Sequence, residues 1–227
     1  MMSLFRKIRN LCLLLKYINA NTIVFNFRML SYKQAFIFPF FVSKNVNLLN
    51  LSGEIEINSK IKIGMIRIGY GDAGIFDRKY SRTIMEIKGN LIFNGNAFIG
   101  HGSRISVGEK GILTFGENFR ISAETSIIAN KCITIGNNCL LSWQIDIYDT
   151  DFHEIINENG IRLNDDKPIT VGDNVWISCK CLILKGSVIP SNVVISANST
   201  VSKKLEGNNL IFGGEPLRVI KEKVTWR

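Results

Sequence analysis

Large aliphatic residues occur at every sixth position in the last third of the regular part of the chain. They are Val171, Ile177, Ile183, Ile189, Ile195 and Val201. A step of six matches neither the 3.6-residue period of a helix nor the two-residue alternation of one strand. It is typical of a structural repeat in which a short strand is followed by a corner. We therefore predict an all-β fold in which each six-residue unit points one aliphatic side chain inward.

The repeat also predicts how the units are stacked. Its fourth positions often hold residue types that tolerate positive φ, as corners require: Asn174, Gly186, Asn192 and Asn198. Two earlier triplets have the same spacing, and their first members, Phe115 and Ile135, lie 20 residues apart. Three units per turn predict a prism with three flat faces, whose coils bury their core against one another.

Two parts of the chain depart from the repeat. Residues 149–168 separate Ile147 from Val171 and predict a loop that leaves the prism, a favoured position for functional residues. The N-terminal residues lack the spacing and predict a partly helical cap over the first coil. We therefore divide the chain into an N-terminal cap (1–52), a β-helix with the loop at 149–168 (53–205) and a C-terminal tail that closes it (206–227).

Charge and cysteine content narrow the partners and the compartment. The net charge of +9 favours an anionic partner, such as a phosphorylated cofactor or an anionic membrane surface. Nucleic acid is disfavoured because no arginine-rich stripe interleaved with aromatic residues is present. Five cysteines without a C-x-x-C pair indicate reduced thiols in a cytoplasmic protein and no metal site. The short apolar run 11–15 follows basic residues and predicts an amphipathic helix that can contact a membrane surface peripherally.

Two segments resemble a known family. They are Val171-Gly-Asp-Asn-Val-Trp-Ile177, with the units after it, and Gly213-Gly-Glu-Pro-Leu-Arg-Val-Ile220. Both are similar to the hexapeptide-repeat acetyltransferases, in particular the O-acetyltransferases of galactosides, maltose and surface polysaccharides. The resemblance covers about residues 133–221. It implies a left-handed parallel β-helix, a homotrimer with acetyl-CoA bound between subunits, and a sugar or glycan acceptor.

The resemblance also implies a catalytic base. Of the two histidines, His153 lies where the family places its catalytic histidine, at the start of the loop. An alcohol needs a base to take its proton as it attacks a thioester, and imidazole is suited to that role near neutral pH. Asp146, Asp149 and Asp151 could orient the imidazole. His101 lies within the repeat, where a structural role is expected.

Further positions match the family's cofactor contacts. The coil carrying Trp176 would supply backbone donors to the oxyanion, with Ile177 and Ser178 as candidates. Cys179 and Ala197 match positions along the pantetheine arm. Ser202 and Lys203 match residues near the CoA phosphates, and Arg218 and Lys221 match basic residues at its adenosine end. Where the family often has glycine, this chain has Ser178-Cys179 and Ser196-Ala197-Asn198, whose Cβ atoms narrow the pantetheine path.

The sequence predicts an acetyl-CoA-dependent O-acetyltransferase acting on a sugar hydroxyl in surface polysaccharide biosynthesis. N-acetylation of an amino sugar or nucleotide-linked amino sugar is an alternative, because the same base would serve an amine. A non-catalytic β-helix scaffold is an alternative of another class. A metal enzyme on a similar β-helix would need three histidines around one metal, and the chain has only two.

Overall fold

The computed structural model describes residues 2–71, 73–77 and 79–226, without the side chains of residues 2–7 and 9. Three helices begin the chain: α1 (Met2–Tyr17), α2 (Ala20–Met29) and α3 (Tyr32–Ala35). Short strands then follow, three to a coil, each pairing in parallel with its counterpart in the next coil. The fold is a left-handed parallel β-helix, as the sequence predicts.

The described strands form six complete coils and a seventh coil of two strands. Coils 1 to 3 contain β1 (Phe40–Val42), β2 (Asn47–Leu51), β3 (Glu54–Ile57), β4 (Ile66–Tyr70), β5 (Ile84–Ile87), β6 (Asn90–Phe93), β7 (Ala97–Gly100), β8 (Arg104–Val107) and β9 (Ile112–Phe115). Coils 4 to 6 contain β10 (Phe119–Ala123), β11 (Ser126–Ala129), β12 (Cys132–Ile135), β13 (Leu140–Trp143), β14 (Asp146–Tyr148), β15 (Ile169–Val171), β16 (Trp176–Ile177), β17 (Leu182–Leu184) and β18 (Val188–Ile189). Coil 7 contains β19 (Val193–Ile195) and β20 (Thr200–Val201), and the chain ends with β21 (Leu210–Gly213) and β22 (Arg218–Glu222).

Three sheets form the faces of the prism. Sheet A has nine strands, eight from β1 to β21 and β22, which pairs antiparallel with β21 at its end. Sheet B has seven strands, from β2 to β20, and sheet C has six, from β3 to β18. The chain visits the sheets in the order A, B, C, so every coil has an A/B, a B/C and a C/A corner.

The six-residue repeat lines up in the core as predicted. Ile127, Ile147, Ile183 and Val201 are register partners in sheet B, and each is at most 1% exposed. The 20-residue spacing corresponds to strand pairing between successive coils, since Phe115 is the register partner of Ile135. The four predicted corner residues, Asn174, Gly186, Asn192 and Asn198, all have positive φ. Burial of these aliphatic columns away from water is the main force that holds the coils together.

The coils begin earlier than the sequence indicates. Phe40–Val42 pairs with β4, upstream of the predicted boundary at residue 53. The six-residue spacing is lost there because Phe40, Phe41 and Val42 are all buried, between the following coil and α2. A second excursion, at residues 71–83, leaves the A/B corner of coil 2 between β4 and β5, and the repeat did not reveal it.

Helix α2 caps the free edge of β1 with side chains. The Asn26 Nδ2 donates to the Phe40 carbonyl at 2.8 Å, and Asn26 Oδ1 accepts from the Phe40 N–H. Thr22 Oγ1 exchanges the same two kinds of hydrogen bond with Val42, both at 3.0 Å. The edge is thereby satisfied without another strand, which blocks pairing with a second molecule.

Replacing Asn26 with leucine is expected to destabilise the protein by about 2 to 4 kcal/mol, because it leaves the buried Phe40 N–H and carbonyl without partners. Thermal melting should show a lower Tm than that of the wild type. Asn159→Leu, the same change at an exposed loop position, is the control and should melt close to the wild type. Equal melting temperatures for the two variants would contradict the capping role.

Candidate active site

The predicted loop at residues 149–168 leaves the B/C corner of coil 5, between β14 and β15. An antiparallel bridge between Ile156 and Arg162 closes a hairpin within it. Arg162 also forms ion pairs with three acidic side chains of the loop, at 3.5 to 3.7 Å, those of Glu154, Asp165 and Asp166. The loop is therefore an ordered arm on the side of the prism.

Asp149 secures the base of this arm. Its carboxylate is fully buried and accepts hydrogen bonds from the backbone N–H groups of Asn130, Lys131 and Cys132, at 2.7 to 2.9 Å. Burial raises the pKa of the Asp149 carboxyl, and the three N–H donors oppose that rise. Both carboxylate oxygens face the turn of coil 4, so the structure assigns Asp149 to anchoring the arm and does not bring it to the imidazole.

Asp146 lies on β14 beside Tyr148. Burial, followed by the hydrogen bond and negative charge of Asp146, raises the pKa of the Tyr148 hydroxyl to about 12. Asp146 precedes the arm on sheet B and its recorded partner is this tyrosine. Among the hydrogen bonds of the described residues, the direct bond to His153 from these three aspartates is that of Asp151, whose backbone carbonyl accepts from the His153 backbone N–H.

A set of three polar side chains, which we call the clamp, holds the backbone on either side of His153. Lys185 Nζ, from the B/C corner of coil 6, donates to Asp151 Oδ2 at 2.5 Å and to the Asn164 carbonyl at 2.7 Å. Asn164 Nδ2 donates to Asp151 Oδ2 and to the His153 carbonyl, both at 2.8 Å. The hydrogen bonds to Lys185 and Asn164 lower the pKa of the Asp151 carboxyl.

The His153 side chain is exposed at this point of the arm. The backbone N–H of His153 donates to the Asp151 carbonyl at 2.7 Å, and the preceding Phe152 has a φ of 63°. A bulky residue in the left-handed region is uncommon, and such strain clusters at functional sites. The chain thus uses an unfavourable backbone conformation and the clamp to present an accessible imidazole, which can accept a proton from a bound hydroxyl.

The candidate pantetheine positions lie on another edge of the prism. Cys179 follows β16 and Ala197 follows β19, so both occupy the A/B corner in successive coils, where the Asn198 N–H donates to the Cys179 carbonyl at 3.0 Å. Trp176 Nε1 donates to Ser142 Oγ at 3.0 Å, which fixes the indole on sheet A. The Ser178 N–H donates to the Ile195 carbonyl and is therefore not free to donate to a ligand.

The candidate phosphate-binding residues lie at the C-terminal end of the prism. Ser202 and Lys203 line a cavity of about 420 Å³ together with Glu215, Pro216 and Leu217, the turn that leads into Arg218. Arg218 and Lys221 are exposed on β22. The fold therefore brings the Ser202-Lys203 pair next to the segment that carries Arg218, although the two are well separated in sequence.

Within one subunit, His153 and the pantetheine positions lie at opposite edges of sheet B. The arm follows the C-terminal end of β14, whereas Cys179 and Ala197 precede β17 and β20 in the same sheet. Sequence analysis did not identify Asn164 or Lys185, because neither belongs to a motif and both reach Asp151 only through the folded arm. No cluster of three or more His, Cys, Asp or Glu side chains suited to a metal occurs among the described residues.

No family model matches the chain. A putative acetyltransferase of Saccharomyces cerevisiae is 30% identical over 151 residues, covering 64% of this chain and 72% of that protein. A putative lipopolysaccharide biosynthesis O-acetyl transferase of Escherichia coli K12 is 24% identical over 143 residues, 59% of this chain and 72% of that protein. The crystal structure of a polysialic-acid-specific acetyltransferase covers 83% of both chains, with a TM-score of 0.53 and 21% identity, and so shares the fold.

These similarities agree with the resemblance in the repeats around Trp176 and in the closing segment. The identity to the yeast protein extends over most of that protein's length. The chain therefore belongs to the hexapeptide-repeat acetyltransferases, and it is an acyltransferase.

Proposed function

We propose that this protein transfers an acetyl group from acetyl-CoA to a sugar hydroxyl during surface polysaccharide biosynthesis, with His153 as the general base. The observation that carries the proposal is the exposed His153 imidazole on a backbone segment that the clamp holds, within an ordered arm of an acyltransferase fold. The lipopolysaccharide O-acetyl transferase relative supports a polysaccharide acceptor.

The reaction needs one proton acceptor and one oxyanion donor. The His153 imidazole takes the hydroxyl proton as the sugar oxygen attacks the thioester carbonyl. The tetrahedral oxyanion then collapses, the carbon–sulfur bond breaks, and the imidazolium returns its proton to the CoA sulfur. Of the two predicted backbone donors to the oxyanion, the Ser178 N–H already donates to the Ile195 carbonyl and Ile177 is fully buried between two paired strands, so the donor has to come from another group of the site.

Acetyl-CoA fits the distribution of candidate contacts along the prism. Cys179 and Ala197 would line the pantetheine arm, while Ser202, Lys203, Arg218 and Lys221 would bind the phosphates and the adenosine end. Exposed cations form charge-assisted hydrogen bonds with phosphate oxygens, which is why basic residues suit that end of the site. The cosubstrate would then extend from coil 6 toward the C-terminal strands.

We place each active site between two subunits of a homotrimer. One subunit holds His153 and the pantetheine positions at opposite edges of sheet B, so a neighbour must bring the two halves together. The arm also exposes five large apolar side chains, each 57 to 63% exposed: Phe152, Ile155, Ile156, Ile161 and Leu163. Such a patch on a monomer marks a surface that another chain covers.

Two measurements on the purified protein test the function. Acetyl-CoA should raise the melting temperature, because a ligand that binds only the native state stabilises it. Release of free thiol should then be followed with hydroxyl-bearing glycans and, separately, with amino sugars. Turnover with glycans alone supports O-acetylation, whereas turnover with amino sugars alone would replace it by N-acetylation. No stabilisation and no thiol release would exclude the proposal.

Replacing Lys185 with methionine is expected to lower kcat about tenfold, because the clamp loses the cation that holds Asp151 and Asn164. Lys167→Met removes an exposed lysine of the same arm and is the matched control. Lys185→Arg should recover part of the loss. The low pKa of Asp151 keeps the carboxylate charged at neutral pH, and the ion pair is lost as the pH falls through that lowered value. Equal kcat values for both methionine variants would remove Lys185 from the positioning role.

We also propose that the protein works in the cytoplasm at an anionic membrane surface. Residues 1–53 contain seven Lys and Arg and no Asp or Glu, so most of the +9 charge is there. The exposed side of α1 carries a stripe of apolar side chains at helical spacing, which Ile18 extends just beyond the end of the helix: Ile8, Leu11, Leu15 and Ile18. A basic segment with an exposed apolar stripe is typical of helices that lie in a membrane interface. No helix in the described part of the chain has the length and apolar character to cross a membrane.

The double substitution Leu11→Asp/Leu15→Asp is expected to reduce sedimentation with vesicles of 30% phosphatidylserine by about tenfold or more, because it removes apolar area and adds negative charge. Vesicles of phosphatidylcholine alone should bind the wild type weakly. Leu49→Asp/Ile75→Asp, at exposed positions outside α1, is the control. Wild-type protein that fails to sediment with the anionic vesicles would disprove the membrane proposal.

A further inference from the structure

A second cleft lies far from the arm, on the A/B edge of the prism at coil 2. It is enclosed by the end of α1, the corner between β1 and β2, and the excursion at residues 71–83, and it has a volume of about 360 Å³. An adjoining cavity of about 340 Å³ shares Lys44 and Asn45 with it. We call the two cavities together the coil-2 cleft.

Cations dominate the coil-2 cleft. Lys16, Lys44, Lys79 and Arg82 line it and are exposed, and no Asp or Glu occurs among its described lining residues. Two acidic side chains lie nearby, Glu124, which accepts a hydrogen bond from the Ser81 hydroxyl, and Asp77, whose Oδ1 accepts from the backbone N–H of Lys79, and the four cations outnumber these two. Four lysine and arginine side chains around one opening create a positive potential that concentrates anionic ligands.

The floor of the cleft offers a buried hydroxyl. Thr83 is 2% exposed, and its Oγ1 has no hydrogen-bond partner among the described residues. Gly69 lies beside it with a φ of +78°, and a Cβ there would lie 2.5 Å from Val46 Cγ2 and 3.5 Å from Thr83 Oγ1. Glycine at position 69 therefore permits the positive φ and the close packing against Val46 at the floor of the cleft. A buried hydroxyl that lacks a protein partner is suited to hydrogen-bond a ligand oxygen.

We infer that the coil-2 cleft binds an anionic segment of the glycan acceptor, one that carries carboxylates or phosphodiesters. This inference rests on the proposed function, because it assigns the acceptor class of the same enzyme. The hydroxyls of neutral sugars would not need four cations, whereas carboxylate and phosphate oxygens form charge-assisted hydrogen bonds with lysine and arginine. The Thr83 hydroxyl would donate to one of the bound oxygens.

The position of the cleft favours a polymer over a single sugar. It lies on the same A/B edge as Cys179 and Ala197, four coils from Cys179 in coil 6. Neighbouring strands are ~4.8 Å apart, so four coils span about 19 Å along the prism. A monosaccharide cannot reach both places, but a glycan chain held at coil 2 can run along the edge toward the acetyl group.

Binding is measured without turnover, on His153→Ala protein in the absence of CoA. The probes are a hexamer of sialic acid, a hexamer of glycerol phosphate and neutral maltohexaose, titrated by calorimetry at two salt concentrations. We expect one or both anionic hexamers to bind and maltohexaose not to bind. Lys44→Gln/Arg82→Gln should weaken that binding about tenfold or more, and high salt should weaken it as well.

Two more variants test the role of the Thr83 hydroxyl and the effect of total charge. Thr83→Val removes the hydroxyl at nearly constant shape and should weaken binding several-fold without lowering the melting temperature. Lys60→Gln/Lys110→Gln removes two exposed lysines outside the cleft and is the control for total charge. Failure of both anionic hexamers to bind, or an equal loss in the control, would overturn the inference. Because no acetyl transfer is measured, the site can be confirmed or lost independently of the proposed reaction.

Discussion

Replacing His153 with alanine is expected to lower kcat by about 10² to 10⁴-fold, the usual contribution of a positioned general base. The KM for acetyl-CoA should change little, since the imidazole acts on the acceptor hydroxyl and the proposed cosubstrate contacts lie elsewhere. Steady-state thiol release with a glycan acceptor measures both quantities. The side chain is exposed, so its removal should leave the melting temperature unchanged.

Asp151→Asn is the informative companion to His153→Ala. It keeps the shape of the clamp but removes the charge that pairs with Lys185. Replacing a positioning residue should lower kcat less than replacing the base itself, so we expect Asp151→Asn to lower kcat about tenfold. If His153→Ala retains activity within a few-fold of the wild type, His153 is not the base and the mechanism must be rebuilt around another group.

The second large effect is expected from breaking the proposed subunit contact. Ile156→Asp/Leu163→Asp places two charges in the apolar patch of the arm, and desolvating them in an interface is costly. Light scattering coupled to size-exclusion chromatography should show monomers where the wild type forms trimers. Activity should fall below about 1% of the wild type, because each monomer holds only half of a site. A wild-type monomer that is fully active would disprove the shared site.

Subunit complementation tests the same arrangement without dissociating it. His153→Ala inactivates one half of the site, and Ala197→Trp blocks the proposed pantetheine path at an exposed position. Each homotrimer should be inactive. A mixed trimer with both kinds of subunit should regain activity at the interface that combines an intact His153 with an intact Ala197. No recovery in refolded or co-expressed mixtures would place both residues in one subunit's site.

The sequence was most informative where a local rule repeats. Buried aliphatics at a step of six and corner residues such as Asn174 and Asn192 leave a periodic trace, and the structure confirms both. The N-terminal coils leave a weaker trace, because β1 is buried on both faces by α2 and coil 2. The excursion at residues 71–83 follows a part of the chain with no six-residue spacing, and the weak triplet Phe93, Ile99 and Ile105 begins only after it, so nothing marked its position.

The candidate site residues also differ in how far the sequence alone could identify them. His153 was identifiable because it stands in a motif at the interruption of a regular repeat. Asp149 and Asp151 looked equivalent in sequence, but only the fold shows that Asp149 anchors the arm at coil 4 while Asp151 joins the clamp. Asn164 and Lys185 carried no signal, since each becomes relevant only through a partner that the folded arm brings near.

By itself, the sequence determined the β-helix and its three-sided stacking, because both depend on residue types at short, repeated spacings, and it located the arm and its histidine because they interrupt that spacing. The tertiary structure decided which polar groups meet in the clamp around His153, how far His153 lies from Cys179 and Ala197 across sheet B, and which cations surround the coil-2 cleft. Contacts of that kind join residues from different coils, and their energies depend on distance and burial, which no local pattern encodes.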